Sequence, residues 1–241
     1  GDPDHFDVPI KGITSKLYAK ELANKISLSK AKPSSEIKPG NPAPYESPDT
    51  THFSVMDKYG NAVSNTYTLN FSYGSGIVIP GTGILMNNEM DDFSSKPGVP
   101  NGFGLIGGEA NSIAPYKRPL SSMTPTMIFK DDKPYVVTGS PGGSRIITTV
   151  LQVLINVMDH DMNIAAAVHA PRVHHQWLPD RLELEPGFSP DTLKLLQGKG
   201  QNIKQGKTMG SVQSIMFDNG LFYGVSDPRR QIGRESCRER V

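Results

Sequence analysis

Three β-hairpin patterns and two well-marked helices, arriving in mixed order, constrain the fold of this chain more than any other feature. Apolar and polar residues alternate over residues 50–70, 124–140 and 211–226, and each stretch is broken by a turn sequence such as Asn219-Gly220. No clean β-α-β alternation is visible between them. The sequence therefore predicts an α+β fold in which antiparallel sheets are covered by helices.

The longer predicted helix covers residues 145–160, and its apolar residues are numerous enough for it to be largely buried. Its expected buried face carries Ile147, Val150, Leu151, Leu154 and Met158. The second helix begins at Ser189-Pro190-Asp191, which combines an N-cap, a first-turn proline and an acid near the helix dipole. Gly198 is expected to end it.

The bulk composition excludes several classes of protein. The 241 residues contain 25 Lys and Arg against 24 Asp and Glu, so neither nucleic acid nor a charged membrane surface is indicated as a partner. No apolar run reaches the roughly 20 residues needed to span a bilayer. Cys237 is the one cysteine, which excludes an internal disulfide framework. No signal peptide is visible, but the chain begins at Gly1 without Met, so this says little about export.

The chain divides by composition into three parts. Residues 1–49 read as a connector with one helix-like stretch followed by a segment rich in Pro, Ser and Gly, which should be extended and exposed. Residues 94–112 form a long loop of the kind that serves as a lid or is disordered. The segment 229–241 is Arg-rich and atypical, and is interpreted as an artefact or a basic arm.

Several polar clusters have both a chemical and an ordinary interpretation. Gly142-Gly143, between a predicted strand and a helix, could form an oxyanion hole from backbone N–H groups, or simply a tight turn. Glu89, Asp91 and Asp92 could hold a cation or lie in a solvated loop, and Ser121-Ser122 could bind an anion. A further group (His169, His174 and His175) lacks the spacing of a zinc site, so no metal is predicted.

The junction "ESPDTTHFSV" raises a sharper possibility. A threonine hydroxyl becomes a useful nucleophile when its own α-amine acts as the base, which requires the threonine to be the first residue of a chain. Cleavage between Asp49 and Thr50 would create that residue. An accessible Pro-rich segment before the bond and a strand after it would suit such a cut, although ordinary loop-to-strand junctions have the same composition.

Long blocks of the sequence, in the same order, resemble the γ-glutamyltranspeptidase (glutathione hydrolase) family. They include "YESPDTTHFSVMDKYGNAVSNTYTLN", "NNEMDDFSSKPGVPN", "KRPLSSMTPT" and "TGSPGGSRIITTVLQ", and "APRVHHQWLPD", "GFSPDTLKLL" and "GSVQSIM" extend the match to about Arg229. The resemblance implies an N-terminal-nucleophile hydrolase with a four-layer αββα sandwich. It also implies that the precursor cuts itself at Asp49-Thr50.

The resemblance assigns roles by matching motifs. Residues 1–49 would be the end of a large subunit and residues 50–228 the small catalytic subunit, with the rest of the large subunit as its heterodimer partner. Thr50 would be the nucleophile, Thr68 would orient it, and the N–H groups of Gly142 and Gly143 would stabilise the oxyanion. The remaining roles concern the γ-glutamyl group: its ammonium would be held by Asn70, Glu89 and Asp92, and its carboxylate by Ser121 and Ser122.

The implied substrates are glutathione and other γ-glutamyl compounds, with water or an acceptor amino acid or dipeptide receiving the γ-glutamyl group. No cofactor is implied, and relatives in bacteria are commonly periplasmic or secreted. The chain departs from the family at two points. It lacks the large-subunit arginine, for which neither Arg118 nor Arg145 is an evident substitute, and it has Phe103 where relatives often place a lid tyrosine.

Two alternatives stay open at the level of sequence. One is a glutaryl β-lactam (cephalosporin) acylase with the same fold and mechanism, against which Glu89 and Asp92 argue because that substrate has no ammonium. The other is a catalytically incomplete fragment that acts only as a structural module.

Overall fold

The structure is a computed structural model that describes residues 1–37, 49–99 and 107–230, with Asp49 and Thr50 described by their backbone alone. Predictions for Phe103, Cys237 and most of the linker and the tail lie outside these residues. The helices are α1 (Ile10–Ile13), α2 (Lys16–Asn24), α3 (Arg145–Met158), α4 (Ile164–His169) and α5 (Pro190–Gly198). The strands are β1 (Asp49–Met56), β2 (Ala62–Asn70), β3 (Thr126–Lys130), β4 (Lys133–Gly139), β5 (Val173–His174), β6 (Leu182–Leu184), β7 (Ile203–Gln205), β8 (Gln213–Asp218) and β9 (Leu221–Ser226).

The chain forms two compact units. Unit 1 comprises Gly1–Glu46, Glu89–Ser121 and His175–Gly206, and unit 2 comprises Ser47–Asn88, Ser122–His174 and Lys207–Val241. All three predicted hairpins, β1–β2, β3–β4 and β8–β9, are present and lie in unit 2, which confirms them.

Unit 2 is layered. Its four-stranded antiparallel sheet has the order β3-β4-β8-β9, the hairpin β1–β2 packs against β4 and β8, and α3 and α4 also pack on the sheet. Because successive strand residues point to opposite faces, Val136 of β4 packs against the helices while Gly139 lies against the hairpin. The helix-side core consists of Val136, Val153, Val157, Ile164, Ala167, Val168 and Val212.

The expected buried face of α3 is partly wrong. Val150 is buried and Leu154 packs half-buried against the core, as expected, but Ile147, Leu151 and Met158 are 43%, 51% and 55% exposed. The other buried side chains are Ile146, Thr149, Val153 and Val157. Apolar residues occur almost all around this helix, so their spacing alone did not identify the side that meets the sheet.

Unit 1 contains a feature that the sequence did not predict. Strands β6 and β7 pair in parallel, with Leu182 opposite Ile203, and α5 provides the crossover between them. Ser189 caps α5 by accepting from the N–H of Thr192, as predicted. Strands of three residues carry too short an alternation to be recognised from the sequence.

The segment before the linker is tied down within unit 1. Trp177 Nε1 donates to the carbonyl of Ser34 at 2.8 Å and to that of Ile37 at 3.1 Å. Asp180 Oδ2 accepts from the N–H of Ser34 at 2.8 Å. The described start of the Pro-rich connector is therefore anchored as far as Ile37.

No helix in the described part of the chain combines the length and apolarity that a membrane crossing requires. Within the same residues, no three His, Cys, Asp or Glu side chains are grouped in a way that could hold a metal ion.

Candidate active site

The predicted nucleophile lies in a two-stranded ladder with its predicted orienting residue. Thr50 in β1 is directly opposite Thr68 in β2, and Asp49 is opposite Asn70. The register shifts between Asp49 and Thr50, because Asp49 pairs with Asn70 and Thr50 with Thr68, so Leu69 of β2 is an extra, bulged residue opposite the predicted scissile bond. Bulges bend a strand and release backbone groups from the ladder, and they are frequent next to active sites.

The end of β2 is held in an unusual backbone conformation. Asn70 has φ +74° and is fully buried, and its N–H donates to Thr68 Oγ1 at 2.8 Å. Its side-chain Nδ2 donates to the carbonyl of Asn88 at 3.1 Å, and the N–H of Asn88 donates to the carbonyl of Leu69 at 3.1 Å. These bonds fix the Thr68 hydroxyl and the Asn70 amide together.

The glycine pair forms the connection from β4 to α3 within unit 2. Gly142 and Gly143 are buried and have φ +139° and +58°, values that side chains other than glycine's rarely tolerate. The carbonyls of both glycines accept hydrogen bonds from the first N–H groups of α3, those of Arg145 and Ile146. The turn is thus shaped by the helix start, and its amides lie at a helix N-terminus, where negative charge is stabilised.

A second loop packs directly on this turn. A Cβ added to Gly142 would lie 3.3 Å from Gly210 Cα, and one added to Gly210 would lie 2.6 Å from Ser140 Oγ. Ser140 Oγ accepts from the N–H of Ser211 at 2.9 Å and donates to the carbonyl of Pro141 at 2.6 Å. The close approach of the two loops depends on glycine at both positions.

A buried ion-pair cluster that no sequence motif marks supports this second loop. Arg172 donates to Asp227 Oδ2 at 2.7 Å and to the carbonyl of Met209 at 2.6 Å. Asp227 also accepts from the N–H of Val212 at 2.8 Å and from Arg229 Nη1 at 3.1 Å. The one sequence signal is an Asp and an Arg two residues apart in "SDPRR".

Arg229, with which the atypical tail was expected to begin, instead belongs to the folded part of unit 2. Its side chain is 7% exposed, and it donates to the carbonyls of Val168 and Ala170 as well as to Asp227. The resemblance ended near this residue, and composition alone could not separate one buried arginine from the exposed arginines that follow it.

The predicted ammonium ligands Glu89 and Asp92 lie at the two ends of a 3-10 turn in unit 1. Burial is the main reason that the pKa of Asp92 rises to about 7, and the neighbouring carboxylate of Glu89 raises it further. Burial also raises the pKa of Glu89. Asp92 Oδ1 is buried without a hydrogen-bond partner among the described residues. The turn is therefore a site where a cation would be stabilised.

Asn111, which was not among the predicted site residues, joins this acidic turn to the segment leading to Ser121. Its buried amide donates from Nδ2 to the carbonyl of Asp92 at 2.7 Å and accepts at Oδ1 from the N–H of Leu120 at 2.9 Å. Leu120 immediately precedes Ser121. One side chain thus sets the distance between the backbone of Asp92 and the backbone leading to the serines.

The two predicted carboxylate-binding serines differ in burial. Ser121 is exposed and is the last residue of a segment of unit 1, while Ser122 is buried and is the first residue of a segment of unit 2. Arg118 is bound to Asp2 and Asp4 by ion pairs, so it is engaged elsewhere in unit 1 and is no evident replacement for a substrate-binding arginine. The predicted loop 94–112 is tied together near its ends by the bond from the N–H of Ser94 to the carbonyl of Asn111 at 2.9 Å, and further in by the bond from the N–H of Gly98 to the carbonyl of Gly107 at 2.8 Å.

Solved structures share this architecture. A crystal structure of acivicin-inhibited γ-glutamyltranspeptidase matches 76% of this chain and 100% of that chain, with a TM-score of 0.73 and 55% sequence identity. Cephalosporin acylase from Bacillus halodurans matches 95% of this chain and 39% of that chain, with a TM-score of 0.79 and 29% identity. The fold is therefore the α+β fold of the N-terminal-nucleophile hydrolases, as predicted.

Sequence comparison narrows this class to a family. The γ-glutamyltranspeptidase family model matches residues 1–236. The glutathione hydrolase proenzyme of Escherichia coli is 62% identical over 230 residues, and that of Pseudomonas sp. (strain A14) is 47% identical over 244 residues. This chain belongs to the γ-glutamyltranspeptidase family. The two alignments cover 95% and 97% of the chain but 40% and 42% of these curated relatives.

Proposed function

We propose that the complete protein is a γ-glutamyl transferase and hydrolase that uses Thr50 as its nucleophile after cleaving itself at Asp49-Thr50. The observation that carries the proposal is the β1–β2 register, which sets Thr50 opposite Thr68 at a bulged strand end. Membership of the family supports the same reaction.

The cleavage would be an intramolecular acyl transfer. The Thr50 hydroxyl attacks the carbonyl carbon of Asp49 and the C–N bond breaks, so that an ester joins the two segments and the Thr50 amine is free. Water then hydrolyses the ester and releases the Asp49 carboxylate. Residues 1–49 become the end of a large subunit and residues 50–228 the small subunit.

Catalysis would repeat the chemistry on a substrate. The Thr50 hydroxyl attacks the γ-carbonyl of glutathione or another γ-glutamyl compound, and the Thr50 amine carries the proton to the leaving amine. The N–H groups of Gly142 and Gly143 stabilise the oxyanion, and Thr68 orients the nucleophile. The γ-glutamyl group is then joined to the Thr50 hydroxyl oxygen as an ester, and water or an acceptor amino acid or dipeptide attacks that ester and takes the γ-glutamyl group.

The electrostatics of the acidic turn favour a γ-glutamyl over a glutaryl substrate. Burial raises the pKa values of Asp92 and Glu89, so a positive charge beside them would stabilise their ionised forms. The α-ammonium of a γ-glutamyl group would supply that charge, and a glutaryl group would not. The family resemblance alone adds Asn70 to the ammonium ligands. Ser121 and Ser122 would then hold the α-carboxylate.

Two measurements test the proposal. On a denaturing gel the full-length protein should separate into two chains, the smaller with Thr50 at its N-terminus, whereas Thr50→Ala should stay intact. An intact wild-type chain would refute self-cleavage. The purified protein should hydrolyse γ-glutamyl anilide far faster than glutaryl anilide, and the reverse preference would point to the acylase alternative. Failure to hydrolyse either anilide would favour a structural module.

The periplasmic or secreted location implied by the family stays a prediction.

A further inference from the structure

His52 is a buried titratable residue that the proposed mechanism does not use. It lies two residues after Thr50 in β1 and opposite Thr66 in β2, so the His52–Thr66 pair is two pairs along the ladder from the Thr50–Thr68 pair. It is 5% exposed. Desolvation lowers the pKa of His52 to about 4, so its ring is neutral near pH 7.

The hydrogen bonds of His52 fix its tautomer. Ser54 Oγ donates to the carbonyl of Gln213 at 2.9 Å, so its one proton is committed. The 3.0 Å contact between Ser54 Oγ and His52 Nε2 is then a bond donated by Nε2–H. Nδ1 of the neutral ring must accept, and it does so from Thr66 Oγ1 at 2.7 Å. The directed chain Thr66–His52–Ser54–Gln213 defines one orientation of the ring.

The other side of the ring meets the backbone of β4. A Cβ added to Gly139 would lie 2.3 Å from His52 Cε1 and 2.4 Å from Nδ1, distances at which the ring would have to move. Gly139 is paired with Gln213 in the sheet, so the hydrogen-bond chain and the ring contact converge on one residue pair. Gly139 is also the last residue of β4, three residues before Gly142.

We propose that His52 is a positioning residue that sets the spacing between the strand beginning at the nucleophile and the strand leading into the oxyanion turn. This role rests on the proposed function, because it concerns the distance between Thr50 and the Gly142–Gly143 amides. The ring acts as a spacer of fixed thickness, held by hydrogen bonds on the β1–β2 side and by direct contact on the Gly139 side. A displacement of about 1 Å in such a pair of groups can lower a rate about 100-fold.

The test uses the full-length protein and γ-glutamyl anilide, with rates normalised to the amount of chain that carries Thr50 at its N-terminus. His52→Leu keeps bulk but loses the hydrogen bonds, and Gly139→Ala displaces the ring without changing it. Each should lower kcat about 10- to 100-fold and change KM less than about threefold. His52→Gln, which can restore a donor to Ser54, should recover part of the loss.

A double variant and a matched control separate positioning from folding. In His52→Leu/Gly139→Ala the losses should not multiply, because the same spacing is disturbed only once. The control is His174→Leu. His174 is also buried and is bonded to a threonine hydroxyl, Thr148 Oγ1 at 2.8 Å, but lies outside the β1–β2 hairpin. The His174→Leu variant should have a lower melting temperature than wild type but the same normalised kcat.

The outcomes are distinct. Unchanged normalised kcat in the two single variants, or multiplied losses in the double variant, would overturn the positioning role while leaving the proposed function intact. A loss of kcat of the same size in His174→Leu would also overturn it, because general destabilisation would then explain the effect. A wild-type protein that does not hydrolyse γ-glutamyl anilide would overturn the proposed function itself, and the positioning role with it.

Discussion

Replacing Asp227 by asparagine would remove a negative charge that pairs with two buried arginines, at a cost that follows from their burial. The side chains of Asp227, Arg172 and Arg229 are 0%, 2% and 7% exposed. Asparagine has the same size, so packing is preserved, but the negative charge that pairs with both guanidinium groups is lost. Removing one partner of a buried ion pair typically costs about 3–5 kcal/mol.

The loss of stability in Asp227→Asn should fall near the lower limit of that range. Arg172 and Arg229 also donate to backbone carbonyls, including those of Met209 and Ala170, and these bonds persist in the variant. We therefore expect a loss of about 3 kcal/mol in the free energy of unfolding. At roughly 2–4 °C per kcal/mol for 150–250 residues, the melting temperature should fall by about 6–12 °C.

Urea denaturation of wild type and Asp227→Asn, with the slope m compared between them, measures this cost. The control is Asp218→Asn, because Asp218 is only partly buried and accepts an exposed hydrogen bond from Asn219. It should change stability by less than about 0.5 kcal/mol. A loss below about 1 kcal/mol in Asp227→Asn, at unchanged m, would refute the reasoning, since the two arginines would then not depend on Asp227.

Two further predictions concern the acidic turn. The pKa of Asp92 is raised from 3.8 to about 7, so the folded state keeps a proton that the unfolded chain loses, and the ligand-free protein loses stability as pH rises from about 4 to 7. Asp92→Asn should remove that loss and stabilise the protein by about 1–3 kcal/mol at pH 8 but little at pH 4. The same variant should raise KM for γ-glutamyl anilide at least about tenfold. Urea titrations at both pH values and steady-state kinetics check these effects, and equal stability of variant and wild type at pH 8 would contradict the first. Asn111→Asp should raise KM about 10-fold with a smaller change in kcat, because a carboxylate oxygen would face the carbonyl of Asp92 that now accepts from Nδ2. Asn202→Asp, which alters an exposed amide bonded to the Asp180 carbonyl, is the matched control, and an equal rise in KM there would argue against the role of Asn111.

Much of the local structure followed from the sequence because it is encoded locally. The alternation of residues 50–70, 124–140 and 211–226 predicts strands, and turn sequences such as Asn219-Gly220, whose φ values are +51° and +80°, predict where they reverse. The Ser189 cap predicts the start of α5 for the same reason. The candidate site residues came mainly from the family resemblance, since Ser121-Ser122 or Gly142-Gly143 alone fit ordinary turns as well.

Only the tertiary structure decided which groups meet across long separations in the chain. Arg172 and Asp227 are 55 residues apart, and neither has a local pattern that marks it as buried. Ser54 and the carbonyl of Gln213 are 159 residues apart, so the tautomer of His52 could not be inferred from its neighbours. The buried face of α3 was likewise decided by the sheet, because a helix that is apolar almost all around has no preferred face until it packs. Short-range steric and hydrogen-bonding preferences thus determined the elements, whereas burial and charge pairing, which depend on the assembled fold, determined the surroundings of the site.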